Sequence, residues 1–141
     1  EPWAEDVFGR MSHTTERFRA YIGMNEPLAH RIEAGADLFV MPSRYEPCGL
    51  GQMISQRYGT VPIVRHTGGL VDTVEDGATG FAFNDPTPEA LSAAAERGFA
   101  VWRNKDWSRL RRRCMRLDRS WGRSAERSEQ VYRAAIGPPS G

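Results

Sequence analysis

SRYEPCGLGQ, residues 43–52, lies between two apolar segments, and its reading decides the fold. Before it stands DLFVMPS (37–43), a short apolar run closed by Pro42, which reads as a buried strand. After it, Leu50, Met53, Ile54 and Tyr58 are spaced like one face of a helix. The decapeptide is therefore a strand-to-helix turn. In an open α/β sheet such a turn lies at the carboxyl edge of the strands, where the first N–H groups of the helix point outward unpaired.

The pattern outward from the turn is α/β. Residues 3–14 suggest a helix, 17–22 a strand, and 26–34 a helix carrying Leu28 and Ile32, with Ala36 continuing the four-residue spacing. VPIVRHTGG (61–69) is a second strand ending in glycines, residues 69–74 suggest a helical turn, and DGATGFAF (76–83) a loop entering an edge strand. Alternation with short joints argues for a parallel sheet with helices on both faces. From Thr87 the pattern is helical only, with a start at Asp85 or Thr87 before Pro88. Three apolar stripes follow: Leu91 to Trp102, Trp107 to Leu117, and Trp121 to Ile136. The expected organisation is 1–85 as part of a Rossmann-like domain, 86–136 as its helical tail, and 137–141 (GPPSG) as a disordered end.

Bulk properties narrow the function classes. A chain of 141 residues with 40% hydrophobic content suits one core. No apolar run approaches the roughly 20 residues of a membrane span, and EPWAEDVFGR (1–10) lacks the features of a secretory signal, so the expected setting is cytoplasmic. Cys48 and Cys114 make no metal-ligand spacing and read as free thiols. Net charge is +1, yet the stretch from Arg97 to Arg119 is strongly basic. Interleaved Trp107, Leu110 and Leu117 make that stretch an amphipathic helix with a basic outer face, and no nucleic-acid partner is expected.

The residues that could carry chemistry cluster at two glycine turns. Gly49 and Gly51 uncover backbone N–H groups at a helix N-terminus, which suits a phosphate, a diphosphate or sugar hydroxyls. Glu46 beside them suits hydroxyls better than an anion. Spacing alone leaves open the plainer reading, in which the glycines serve only the turn and Glu46 is a solvated acid. HTGGL (66–70) places His66, Thr67, Gly68 and Gly69 after the second strand, and two adjacent turns of this kind can form a crevice for a nucleotide. His30, inside an amphipathic helix, reads as structural. There is no GxxxxGK[ST], no GxGxxG after a strand, no HExxH and no DxD pair, so nothing calls for a metal.

The run from His30 to Val74, with PSRYEPCGLGQ, RYGTVPIVRHTGGL and DTV, closely resembles the C-terminal half of the ADP-glucose-using glycogen and starch synthases. GFAFNDPTPEAL (80–91), AVW (100–102) and SW (120–121) resemble that family's tail, so the likeness covers about 22–136. It implies a two-domain GT-B glycosyltransferase that transfers glucose, with retention, from ADP-glucose to the non-reducing end of an α-1,4-glucan. Neither metal nor cofactor is implied. By resemblance Glu46 holds hydroxyls of the donor glucose, while the N–H groups of Cys48, Gly49, Leu50 and Gly51 meet the sugar and the diphosphate; His66, Thr67 and Gly68 are further candidates.

Four departures from the family pattern limit this carry-over. Met24 stands where relatives often carry an aromatic residue against adenine, leaving a softer contact with a base. Gly51 replaces a residue that often carries a side chain, and Ile54 stands where the wider superfamily has a second glutamate. The arginine and lysine that neutralise the diphosphate are not found, since the single lysine, Lys105, lies in the tail. Those groups and the acceptor-binding N-terminal domain are expected before Glu1, so the piece alone is expected to be inactive and to associate through uncovered apolar surface. If the parent is a plant or algal protein, the expected setting is a plastid. A non-catalytic nucleotide-sugar- or glucan-binding module of the same fold, or a transferase using UDP-glucose, remain the alternatives.

Overall fold

A computed structural model describes residues 1–137; the end expected to be disordered falls, beyond Gly137, outside the described residues. Two compact units are present, Glu1–Arg31 and Ile32–Gly141. In the first, α1 (Pro2–Thr14) opens with proline in its first turn, where no N–H is needed. Phe8 stacks on Phe18 with centroids 6.1 Å apart. The strand expected at 17–22 is not formed. A strand needs a neighbouring ladder; here the Arg19 Nη1 instead gathers the carbonyls of Thr15, Glu16 and Phe18, and the Ala20 N–H donates to Ser12 Oγ. Asn25 Oδ1 then accepts from the Leu28 N–H and caps α2 (Glu26–Gly35), which spans the division between the units.

The second unit is a three-stranded parallel sheet in the order β1 (Leu38–Met41), β2 (Val61–Arg65), β3 (Phe81–Phe83). β1 leads through the 42–50 turn to α3 (Gly51–Tyr58). Gly59, at φ 81°, ends that helix in the left-handed conformation that glycine adopts without penalty, and Thr60 N–H returns to Ser55 O. Thr60 Oγ1 also donates to Ala36 O at 2.9 Å, which ties the end of α2 to the start of β2. After β2 comes the short α4 (Leu70–Thr73), and after β3 come α5 (Pro88–Trp102), α6 (Trp107–Met115) and α7 (Trp121–Ile136). Of the two expected starts for α5, Thr87 is the cap: its Oγ1 accepts from the Ala90 N–H.

Central strand β2 is buried on both faces, as parallel sheets require. One face packs Val61, Ile63, Phe81 and Phe83 against Ala94 of α5 and Trp107, Leu110 and Cys114 of α6. The other packs Val64 and Ala82 against Leu70 and Val74. Burial pushes the Cys114 thiol up to about 11. Asp76 secures the loop into β3 by accepting from Ala82 N–H and pairing with Arg97 Nη1 at 2.7 Å. Burial raises its pKa, but the Arg97 and Ala82 hydrogen bonds and the charge of Arg97 outweigh that, and the carboxyl is held below its ordinary value.

α3 does not bury the apolar face that its spacing outlines. Gln52, Ser55 and Gln56 are its buried residues, while Leu50 and Tyr58 are exposed. Backbone acceptors explain the inversion. Gln52 Nε2 serves the carbonyls of Cys48 and Gly49, and Gln56 Nε2 those of Thr73 and Thr79. An unpaired buried carbonyl costs about 1–3 kcal/mol, and the two amide nitrogens remove part of that cost.

Candidate functional site

The 42–50 turn leaves the carboxyl end of β1 and is held over the carboxyl end of β2. Its middle is fastened by backbone: the Gly69 N–H donates to Glu46 O at 3.1 Å and Pro47 O at 3.2 Å. So close an approach excludes side chains from the second turn. A Cβ on Gly68 would fall on the Glu46 carbonyl oxygen, and one on Gly69 would lie 2.6 Å from Cys48 O. Gly68 and Gly49 also have φ of 51° and 69°, a region disfavoured for other residues.

The exit of the turn is fastened by side chains. Gln52 Nε2 bonds Gly49 O at 2.9 Å and Thr73 Oγ1 at 3.0 Å, and Thr73 Oγ1 donates to Gly69 O at 2.8 Å. Through Gln52 and Thr73 the two glycine turns and α4 form one unit. What this unit presents is the start of α3. Met53 and Ile54 already use the Leu50 carbonyl, whereas among the described residues the N–H groups of Cys48, Gly49 and Leu50 reach no protein acceptor. Gly51 begins the helix with no side chain over it; a Cβ there would lie 3.1 Å from Phe39 Cζ. A small cluster of free N–H donors at the positive end of a helix attracts an anion.

Glu46 is half-buried beside these donors, and its carboxylate makes no hydrogen bond or ion pair among the described residues. It is left as an acceptor for hydroxyl groups. The predicted site residues Glu46, Cys48, Gly49, Leu50, Gly51, Thr67 and Gly68 are thus brought together at one sheet edge. His66 stands at the same edge with Nε2 3.0 Å from Val74 O. Met24 belongs to the first compact unit and is fully exposed. Sequence reasoning did not find Gln52, Thr73 or Arg65, which hold the turn. For Gln52 a signal exists: an amide one helical turn after Cys48 can reach back to the loop carbonyls. Among the described residues no group of three His, Cys, Asp or Glu side chains could hold a metal ion, and no helix is long and apolar enough to cross a membrane.

In open α/β folds, ligands such as nucleotides bind at turns of this kind, outside the carboxyl ends of the strands. Residues 17–108 match the family described as Glycosyl transferases group 1, and the chain belongs to that family. It is 54% identical over 140 residues to a glycogen synthase of Anaeromyxobacter dehalogenans (strain 2CP-C), covering 94% of this chain and 30% of that protein. A glycogen synthase of Thioalkalivibrio sulfidiphilus (strain HL-EbGR7) is 52% identical, with 86% of this chain and 27% of that protein covered. Among solved structures, the catalytic domain of starch synthase IV from Arabidopsis thaliana, bound to ADP and acarbose, superposes with a TM-score of 0.84 at 36% identity, over 94% of this chain and 30% of that one. The chain spans less than a third of the length of these relatives.

Proposed function

We propose that this chain is the later part of the nucleotide-binding half of a GT-B glucan synthase, which transfers glucose with retention from ADP-glucose to the 4-hydroxyl at the non-reducing end of an α-1,4-glucan. The observation that carries the proposal is the set of N–H groups from Cys48 to Leu50 that reach no acceptor among the described residues, beside the unpaired Glu46 carboxylate. During transfer the bond from the anomeric carbon to the diphosphate oxygen breaks, and the acceptor oxygen bonds to that carbon. The acceptor proton leaves with the diphosphate.

Negative charge grows on the diphosphate as its bond breaks. N–H donors already fixed by Gly69 and Gln52 need no reorganisation to meet it, and one such donor is typically worth about a hundredfold or more in rate. Glu46 accepts from glucose hydroxyls and sets the orientation of the sugar, a contribution of proximity and alignment. The cations that neutralise the diphosphate, and the acceptor-binding domain, belong to the rest of the parent polypeptide. The 141-residue piece alone is accordingly inactive. The ADP in the starch synthase IV structure supports the adenine nucleotide as donor.

The test is glucose incorporation into glycogen by the full-length polypeptide, with ADP-glucose and UDP-glucose compared at equal concentration. Preference for ADP-glucose supports the reading. Preference for UDP-glucose overturns the donor assignment, and incorporation from neither donor overturns the enzyme reading in favour of a binding module.

A further inference from the structure

The middle and exit of the 42–50 turn are held by Gly69 and Gln52, but its entry is held differently. Among the described residues, the only hydrogen bonds made by Ser43, Arg44 and Tyr45 come from the side chain of Arg65. Arg65 is the last residue of β2, in register with Phe83 of β3. Its Nη1 donates to Arg44 O at 2.7 Å and Ser43 O at 3.4 Å, while its Nε donates to Asn84 O at 2.9 Å.

We propose that Arg65 is a positioning residue for glucosyl transfer, its guanidinium joining the carbonyl of Asn84 after β3 to those of Ser43 and Arg44 and so fixing the place of Glu46. This rests on the donor-site reading of the turn. Glu46 follows Arg44 by two residues, and Tyr45 between them is largely exposed and packs too little to hold the backbone. The planar fork is what the role needs, because its nitrogens diverge and reach carbonyls on two separate segments at once. Lysine offers one nitrogen at the end of a flexible stem and cannot span both. Charge is therefore retained and geometry lost in Arg65→Lys, which separates positioning from direct attraction of the diphosphate.

The experiment compares wild type, Arg65→Lys and Arg65→Gln of the full-length polypeptide by steady-state kinetics and by hydrogen exchange resolved to peptides. Positioning predicts that both variants lose about tenfold to a hundredfold in kcat, the loss expected for a misplaced catalytic geometry, with the KM for ADP-glucose changed less than about threefold. The Gly69 amide, whose N–H donates to Glu46 O and Pro47 O, exchanges faster in both variants, while amides of β2 and β3 keep their protection. Full activity in Arg65→Lys with a raised KM in Arg65→Gln would show a charge contact instead and overturn the proposal, as would unchanged exchange at the Gly69 amide. A wild type that transfers no glucose defeats the donor reading, and the exchange data still decide whether Arg65 holds the turn. General loss of protection in Arg65→Gln leaves Arg65→Lys, which keeps charge and stem, as the deciding variant.

Discussion

The carbonyl oxygen of Glu46 and the N–H of Gly69 are 3.1 Å apart, and this bond joins the turn after β1 to the turn after β2. Because the partners are main-chain atoms, the glycines of HTGGL serve the first turn by having no side chain. Gly68 is the most sensitive of them. Its backbone is left-handed, and a Cβ would strike Glu46 O. Gly68→Ala is expected to cost about 1–3 kcal/mol of stability through backbone strain and to lower transfer by at least tenfold. Thermal melting and kinetics of the full-length polypeptide check both; an active variant of normal stability would show that the two turns can separate freely.

Glu46 is expected to behave in the opposite way, with large kinetic and small structural effects. Its carboxylate has no partner among the described residues, so Glu46→Ala should leave the melting temperature nearly unchanged. Turnover should fall at least about a hundredfold, roughly 3 kcal/mol of transition-state stabilisation. Near-normal turnover would remove Glu46 from the site. Cys48 is exposed, and a role confined to its N–H predicts that Cys48→Ser changes turnover by less than about threefold.

Cys114 gives the second unit an alkaline limit. Its pKa is raised in the folded state from 9.0 to about 11, so its contribution is complete below pH 9. Above that the unfolded chain ionises its thiol first, and stability declines as pH rises toward 11. Denaturant melts across this range should show the decline in the wild type and a shallower one in Cys114→Ala, even though loss of the buried Sγ lowers stability at every pH. Equal slopes would assign the alkaline loss to other groups.

Uncovered apolar surface should make the 141-residue chain associate. Val40 on the open edge of the sheet is 49% exposed and shares a groove with Phe99 and Trp102, and Trp121, Tyr132 and Ile136 of α7 are largely exposed. Size-exclusion chromatography should give broad or oligomeric elution. A sharp monomeric peak with cooperative melting would contradict this.

The strands and the central turn were legible because the signals there are local: an apolar run, a closing proline and glycines before a helix. What lay hidden depends on contacts distant in sequence. The inward face of α3 is set by the carbonyls of Thr73 and Thr79, which its own periodicity cannot reveal, and the segment 17–22 reads as a strand although its Arg19 side chain turns back to the carbonyls of Thr15, Glu16 and Phe18. Likewise Arg65 looks like an ordinary strand-end arginine until the fold brings Ser43, Arg44 and Asn84 around it. At the candidate site the glycine turns were legible and their bracing was not, because bracing through carbonyls leaves no residue-type signature.

The most direct measurement is a structure of the full-length polypeptide with ADP bound. Diphosphate oxygens within hydrogen-bonding distance of the N–H groups between Cys48 and Gly51, at the start of α3, are the predicted result. A diphosphate seated elsewhere, with those N–H groups turned to water, would contradict the assignment of this turn as the donor site.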